Sequence, residues 1–125
     1  MKNIPSGFCL LLLIAVLLAA GCGQVPVFPV GAYVANTVDQ EFLLDFAADG
    51  TYTAVLAGDK LITNGGYRPA GNVITFAADP PCMDEASYEW TLDGETLTFE
   101  VSGQDHCRDR QAYLQDTVYS CVTCT

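Results

Sequence analysis

Short runs of alternating apolar and polar residues, separated by turn-forming residues, fill most of the chain after residue 40. The runs are rich in Val, Ile, Thr, Tyr and Phe, and Asp-Gly, Gly-Gly and Ala-Gly-Asn interrupt them at the spacing of a β-meander. No stretch of a dozen residues shows the apolar period of a helix. Together with segments 31–35 and 112–120, the pattern predicts about eight antiparallel strands.

The first hairpin that can be paired residue by residue lies around Asp49-Gly50. This dipeptide suits a two-residue turn, because Gly tolerates fully and Asp partly the positive φ that such a turn requires. The turn would set Phe46 opposite Thr53 and Leu44 opposite Val55. One face of this hairpin is therefore expected to be apolar.

A second hairpin is predicted around Asp93-Gly94. With this dipeptide as the turn, Trp90 faces Leu97 and Tyr88 faces Phe99, while the opposite side carries Ser, Thr and Glu. A register slip by one residue would turn these apolar side chains towards solvent, so the pattern specifies the inward face strongly.

A meander of this size with one apolar face must bury that face. Closing the sheet into a small barrel does so and removes the exposed edges, and a two-sheet β-sandwich is the alternative. The inward side chains are expected either to fill the core or to line a pocket for a small apolar ligand. They are Phe42, Leu44, Phe46, Ile74, Phe76, Tyr88, Trp90, Leu97 and Phe99.

An uninterrupted apolar run extends from Phe8 to Ala20, behind a short start that carries Lys2. A membrane-spanning helix needs about 20 such residues, so the run is typical of a signal-peptide core instead. The residues that follow, 19–22 with the sequence AAGC, resemble the lipobox of bacterial lipoproteins. The resemblance implies that residues 1–21 are removed and that Cys22 becomes the acylated N-terminus. The alternative is ordinary secretory cleavage, which leaves Cys22 as a free thiol.

The lipobox resemblance also implies a place in the cell envelope, anchored by lipid and facing the extracytoplasmic side. Two or more acyl chains give stable anchoring where one does not. The residue after Cys22 is Gly23. An Asp at this position would resemble an inner-membrane retention signal, so its absence favours the outer membrane in a Gram-negative cell. Pro26 and Pro29 favour an extended chain. Residues 22–30 are therefore expected to form a tether, and residues 31–125 the barrel domain.

Removal of the signal peptide would leave a strongly acidic chain. Four basic residues remain against fifteen acidic ones, which gives the side chains a net charge of −11; the basic residues are Lys60, Arg68, Arg108 and Arg110. Such a surface repels the phosphates of nucleic acids and anionic lipid heads. Nucleic acid is therefore not expected as a partner, whereas a basic protein partner is permitted. A monomer is expected.

Several segments together resemble the lipocalin-like β-barrel domains of bacterial secreted proteins and lipoproteins. They are Gly-x-Tyr at 31–33, DGTYT, GNVITF, YEWTLDGETLTF and the C-x-D-R that follows. True lipocalins close one end of the barrel with an Arg stacked across an opening Trp. The resemblance implies that Tyr33 takes the place of this Trp and that Arg108 or Arg110 is the Arg. It also implies binding of a small apolar molecule, with no cofactor.

Four cysteines remain in the barrel domain, and three pairings of them are possible. The predicted register of the second hairpin places Cys82 opposite residue 105, so a Cys82–Cys107 disulfide is expected to staple its open end. Cys121 and Cys124 are left as a C-x-x-C pair. A small local disulfide or a link to the barrel is favoured for them over a redox centre, which needs a following helix, or a zinc site, which needs more ligands.

One stretch combines an acid, a base and a possible nucleophile, namely Ser102, Asp105, His106 and Cys107. Adjacent residues of an extended chain point to opposite sides, and Cys107 is assigned to a disulfide, so no catalytic group is expected. The acidic residues around Cys82 lack the regular ligand spacing of a calcium loop, and no metal site is expected.

Two classes of function therefore remain. The first is binding of a small apolar molecule in the manner of a lipocalin. The second is a protein-binding module of the envelope, such as an enzyme inhibitor or an accessory lipoprotein, for which an acidic surface would suit a basic partner.

Overall fold

The computed structural model describes residues 25–37, 40–58 and 60–124. Each strand in these ranges pairs antiparallel with the next, and the last strand pairs with the first, so the sheet closes into a barrel. The predicted all-β, up-and-down barrel of eight strands is confirmed, and it is not a two-sheet sandwich. The elements are β1 Gly31–Asn36, β2 Glu41–Phe46, β3 Thr51–Leu56, β4 Lys60–Ala70, β5 Val73–Phe76, β6 Ala86–Asp93, β7 Thr96–Ser102, α1 Arg108–Leu114 and β8 Val118–Cys124.

The turn between β2 and β3 is longer than predicted. The strands are joined by a three-residue loop in which Gly50 has a φ of +89°, a common three-residue hairpin geometry. Phe46 therefore pairs with Tyr52 rather than with Thr53, and the predicted register is wrong by one residue. The shift turns Tyr52 and Ala54 inward, and both are buried.

The turn between β6 and β7 is formed by Gly94-Glu95 rather than by Asp93-Gly94, with Gly94 at a φ of +64°. Trp90 pairs with Phe99 instead of Leu97, so this register is wrong by two residues. A shift by two preserves the face to which each side chain points. Trp90, Leu97 and Phe99 are accordingly buried, as predicted.

A helix occupies the start of the predicted last strand. Residues 112–114 belong to α1, and β8 begins only at Val118, so the prediction of a strand over 112–120 is wrong in its first half. Tyr113 and Leu114 are buried against the barrel, and this contact accounts for a helix of only seven residues. No helix among the described residues is long and apolar enough to cross a bilayer.

The end of the expected tether is part of the barrel. Phe28 is only 5% exposed, and its ring centroid lies 4.8 Å from that of Phe46 and 5.4 Å from that of Trp90. The ring therefore fills the end of the barrel where the chain enters. Residues 25–27 are exposed and remain available as a tether. The expected signal peptide, residues 1–21, and Cys22 lie outside the described residues.

Gly31 allows β1 and β8 to close the barrel. Its φ is +137°, and a Cβ at this position would collide with the carbonyl oxygen of Thr123 on β8. Tyr33 follows on the inward face, is fully buried, and donates a hydrogen bond from its hydroxyl to the carbonyl of Pro29 at 2.6 Å. The Gly-x-Tyr sequence therefore serves the closure of the sheet and the packing of the chain that precedes it.

Candidate functional site at the barrel mouth

The nine predicted inward residues contribute nearly half of the buried core. Eight of them are buried, and Phe42 is half-buried. The ring of Phe46 lies within 6.3 Å, centroid to centroid, of six other aromatic rings. These are contact distances for aromatic pairs, so the side chains pack against one another. Around Phe46 the interior is filled by protein.

The two ends of the barrel differ. In an up-and-down barrel successive turns alternate between the ends, so the turns after β2, β4 and β6 lie at the end that Phe28 fills. The turns after β1, β3 and β5 lie at the other end, which we call the mouth. The segment between β7 and β8, including α1, lies at the mouth as well.

A groove of about 340 Å³ opens at the mouth between α1 and the ends of β2, β3 and β4. We call it the mouth groove. Its half-buried or buried walls are apolar, and its exposed borders carry one basic and one acidic side chain. The walls are Phe42, Leu56, Ile62 and Tyr113, and the borders are Gln40, Lys60, Leu61, Pro81, Asp109 and Ala112. The sequence had indicated Phe42 as an inward side chain and Lys60 as a basic residue, whereas Asp109, Ala112 and Tyr113 could not be assigned to this groove because α1 was not predicted.

Arg110 fastens α1 to the mouth. Its guanidinium is fully buried and pairs with both carboxylate oxygens of Asp105, from Nε at 2.8 Å and from Nη2 at 2.9 Å. It also donates hydrogen bonds to the carbonyl oxygen of Ala77 at 3.1 Å and of Asp84 at 2.7 Å. One side chain thus joins the helix to the segment between β5 and β6 on one side of the groove.

Asp105 is satisfied by a full set of donors. Besides Arg110, the Tyr88 hydroxyl and the backbone N–H of Cys107 donate to it. Burial by itself would raise the pKa of the Asp105 carboxyl, but the hydrogen bonds from Arg110 and Tyr88 outweigh it and hold the pKa below its ordinary value. Burial and the neighbouring carboxylate raise the pKa of Tyr88. The Asp105 carboxylate and the Arg110 guanidinium are therefore both ionised at neutral pH, and their contact is structural.

The expected Cys82–Cys107 disulfide is present, with the two Cα atoms 5.3 Å apart. Extending the observed register of β6 and β7 beyond the strand ends brings these two residues opposite each other. The disulfide joins the segment before β6 to the residue that precedes α1. It therefore holds the same side of the mouth as Arg110.

Cys121 and Cys124 form a local disulfide, one of the two structural alternatives that the sequence left open. Their Cα atoms are 6.0 Å apart, whereas three residues of regular strand span about 10 Å. The approach is possible because the register between β1 and β8 shifts, leaving Val122 as an extra residue. This disulfide lies at the end of the barrel that contains Phe28.

The structure does not bring together the Tyr33–Arg pair that the lipocalin resemblance implies. The hydroxyl of Tyr33 contacts Pro29, and its ring packs against Phe46. Arg110 is the buried arginine, but its polar partners are Asp105 and two carbonyls. Arg108 is exposed. Buried aromatic rings, rather than a stacked arginine, occupy the end at which the chain enters.

In the stretch with an acid, a base and a possible nucleophile, the structure engages two of the four side chains in other contacts. Asp105 is bound by Arg110, Cys107 is in a disulfide, and His106 is exposed. In the acidic stretch around Cys82, Glu85 pairs with Arg68 at the surface. Over the part of the chain that the structure describes, no three His, Cys, Asp or Glu side chains lie close enough to hold a metal ion.

A second concave site, of about 400 Å³, lies outside the barrel where β8 diverges from β7. We call it the outer acidic groove. Glu89, Glu100 and Asp116 contribute carboxylates to it, and three threonines supply half of the remaining lining residues. Its polar character contrasts with the apolar walls of the mouth groove.

The chain was compared with protein-family models, with curated proteins and with solved structures. None of them matches it.

Proposed function

We propose that this protein is a lipid-anchored binding protein of the bacterial cell envelope, without catalytic activity, and that the mouth groove holds a small apolar molecule. The observation that supports binding is the groove itself, because its four wall residues are apolar and its volume of about 340 Å³ lies within the range of about 300–1,000 Å³ of ligand sites. The ligand site is proposed at the mouth and not in the interior, because aromatic side chains fill the interior around Phe46.

The borders of the groove suggest what kind of apolar molecule would fit. Lys60 is exposed beside the apolar wall formed by Phe42 and Ile62. An amphiphile with an aliphatic or aromatic body and an anionic head could bury its body on that wall and leave its head beside the ammonium group. Asp109, on α1, would disfavour a second anionic group at the opposite border.

The described chain enters the barrel at the end opposite the mouth groove. Cys22 precedes Phe28 by six residues, and Phe28 fills the end that faces away from the mouth. An acylated Cys22 would therefore hold the mouth groove on the side turned away from the membrane. The two disulfides support an oxidising, extracytoplasmic compartment.

The second candidate function is a protein-binding envelope module, such as an enzyme inhibitor or an accessory lipoprotein. It is favoured by the charge of the mature chain, in which fifteen acidic side chains face four basic ones. A surface of this kind attracts basic proteins and speeds their association.

Binding at the groove is tested with residues 23–125, exported behind an ordinary secretion signal, since this segment contains the whole described barrel. Native mass spectrometry before and after lipid extraction would reveal a bound small molecule. In parallel, the anionic apolar dye anilinonaphthalene sulfonate is titrated into Ala112→Trp, which fills the groove, and into Ala70→Trp, an exposed control at the other end of the barrel. Loss of dye binding in Ala112→Trp alone supports the proposal. An empty protein whose dye binding is equal in both variants contradicts it.

The anchor is tested separately on the full chain. Export in a bacterial host should give a mature protein that starts at Cys22, carries acyl chains by mass spectrometry and fractionates with membranes. A soluble product that starts near residue 22 without added mass would identify plain secretion instead, and would leave the proposal for the mouth groove unaffected.

A further inference from the structure

A row of four aliphatic side chains crosses the outer surface of the barrel. Strand pairing sets Val34 opposite Leu43, Leu43 opposite Val55, and Val55 opposite Leu61. Paired residues on one face of a regular sheet have Cβ atoms about 4.5–5.5 Å apart, so Val34, Leu43 and Val55 lie side by side. Leu61 continues the line over β4, past the register shift between Ala54 and Val55. We call this line the aliphatic row. Leu61 is 59% exposed and Leu43 is 37% exposed, while the two valines are half-buried.

The opposite wall of the barrel shows that this row is not an ordinary solvent face. On β6 and β7 the outward positions are polar in every register pair, as in Glu89 with Glu100 and Thr91 with Thr98. A solvated face of an antiparallel sheet normally has this polar composition. Contiguous apolar side chains on such a face are typical of an interaction surface.

Two carboxylates border the row. Glu41 and Asp45 precede and follow Leu43 by two residues on β2, so they lie on the same outer face, and both are exposed. At about 3.4 Å per residue each lies roughly 7 Å along the strand from Leu43, and the two are about 14 Å apart. Neither β1 nor β3 contains a charged residue. The charge beside the centre of the row is therefore negative on both sides.

We propose that the aliphatic row, with Glu41 and Asp45, is a docking surface for a segment of another protein that presents an aliphatic strip bordered by cationic side chains. The apolar strip would cover Leu43 and Val55, and the cations would pair with the two carboxylates. Charge disfavours the other occupants. A second copy would bring like carboxylates together in a mature chain of net charge −11, and an anionic lipid surface would be repelled.

The spacing of the two carboxylates restricts the partner segment. The separation of about 14 Å runs across the row and is slightly more than the diameter of a helix with its side chains, about 10–12 Å, so an amphipathic helix lying along the row would carry one cation at each edge of its apolar face. Lysine or arginine side chains can adjust by a few ångström because their stems are flexible. The centre of the aliphatic row is separate from the mouth groove, since Leu43 and Val55 do not line the groove.

The apolar part is tested with a synthetic amphipathic helical peptide that has a leucine face bordered by lysines, using isothermal titration calorimetry on the mature protein. Leu43→Thr/Val55→Thr should weaken binding about tenfold or more, because it removes the centre of the contact. Val27→Thr/Val118→Thr removes two exposed aliphatic side chains elsewhere and should change binding less than about twofold. If the double variant does not fold, Leu43→Thr alone takes its place, because Leu43 is at a partly exposed strand position that tolerates Thr.

The charged part is tested with Glu41→Gln/Asp45→Asn against Glu89→Gln/Glu100→Gln, which removes the same charge from the outer acidic groove. The first variant should weaken peptide binding about threefold or more at low salt and flatten its salt dependence. Equal losses in both variants, or a loss only in the second, would overturn the proposal. So would equally tight binding of a peptide with serine in place of leucine.

The other occupants are tested on the same samples. Sedimentation of the wild-type protein over a range of concentrations should show a monomer. A dimer that disappears in Leu43→Thr/Val55→Thr would assign the row to a second copy and overturn the proposal. Binding of the protein, without its acyl chains, to phosphatidylglycerol vesicles through the same residues would overturn it in favour of a lipid surface.

Discussion

Replacement of Arg110 by methionine is expected to destabilise the mouth of the barrel and to lower the free energy of unfolding strongly. Methionine approximates the stem of the side chain and lacks its charge and donors. In the native protein the guanidinium and the Asp105 carboxylate are both fully buried and joined by two hydrogen bonds. Removing one partner of such a pair leaves an uncompensated buried charge, for which about 3–5 kcal/mol is typical.

Several groups lose their partners at once, so the cost should lie in that range. The carbonyls of Ala77 and Asp84 each lose a donor, while Asp105 keeps the hydroxyl of Tyr88 and the N–H of Cys107. A small domain has a total stability of only about 5–15 kcal/mol. At roughly 4–8 °C per kcal/mol, Tm should fall by at least about 12 °C.

A double-mutant cycle with Asp105→Asn separates the charge pair from the rest of the packing. Urea unfolding is followed by the fluorescence of Trp90, with both disulfides intact. The double variant should cost clearly less than the sum of the two single variants, because it leaves neither an unpaired guanidinium nor an unpaired carboxylate, so the coupling free energy should exceed about 2 kcal/mol. A coupling below about 0.5 kcal/mol, or a loss below about 1 kcal/mol in Arg110→Met, would refute this reasoning.

The same pair predicts a pH dependence. The pKa of Asp105 is lower in the folded protein than its ordinary value of 3.8, because the hydrogen bonds from Arg110 and Tyr88 outweigh burial. A lowered pKa stabilises the fold above pH 4, and this stabilisation is lost as the pH falls through the folded-state pKa. The difference in unfolding free energy between wild type and Asp105→Asn should therefore shrink below about pH 4. A constant difference from pH 7 to pH 2 would show that the carboxylate charge is not what Arg110 stabilises.

Three further outcomes are expected. Burial raises the pKa of the Tyr119 hydroxyl above 10.0. The unfolded chain then loses this proton first, so the free energy of unfolding should fall as the pH rises past about 10. Phenolate absorbance that appears near pH 10 with the fold intact would contradict this. Replacing Cys82 and Cys107 by alanine opens a loop of sequence separation 25 and should lower the unfolding free energy by about 3.5 kcal/mol, more than removal of the C-terminal disulfide. Phe28→Ala should cost about 3 kcal/mol and shift the emission of Trp90, whose ring it contacts, to the red; an unchanged spectrum and urea midpoint would show that Phe28 is dispensable for the core.

The alternation of apolar and polar residues was sufficient to predict the barrel and nearly half of its buried core residues. A side chain on a strand has only two faces to choose between, so the positions from Phe42 to Phe99 could be assigned without knowing the exact pairing. The error of two residues around Trp90 left every face unchanged, and the Cys82–Cys107 disulfide was still correctly paired.

An error of one residue has the opposite effect, as the β2–β3 hairpin shows. The dipeptide Asp49-Gly50 fits a two-residue turn and a three-residue loop equally well. In the structure Asp49 accepts hydrogen bonds from the N–H and the hydroxyl of Thr51, and Gly50 closes the loop at positive φ. Packing also favours the longer loop, because it buries Tyr52 where the shorter one would bury Thr53.

The sequence by itself determined the fold class, the inward face of most strands, the acidic charge and one disulfide, since each depends on the order of residue types along the chain. Only the tertiary structure decided that residues 108–114 form a helix, that Arg110 is buried, that Phe28 fills one end and that a groove opens at the other. These features depend on contacts between residues far apart in the chain. Arg110 donates a hydrogen bond to the carbonyl of Ala77, which is 33 positions away in the sequence. A local pattern of residues cannot identify a partner at that sequence separation.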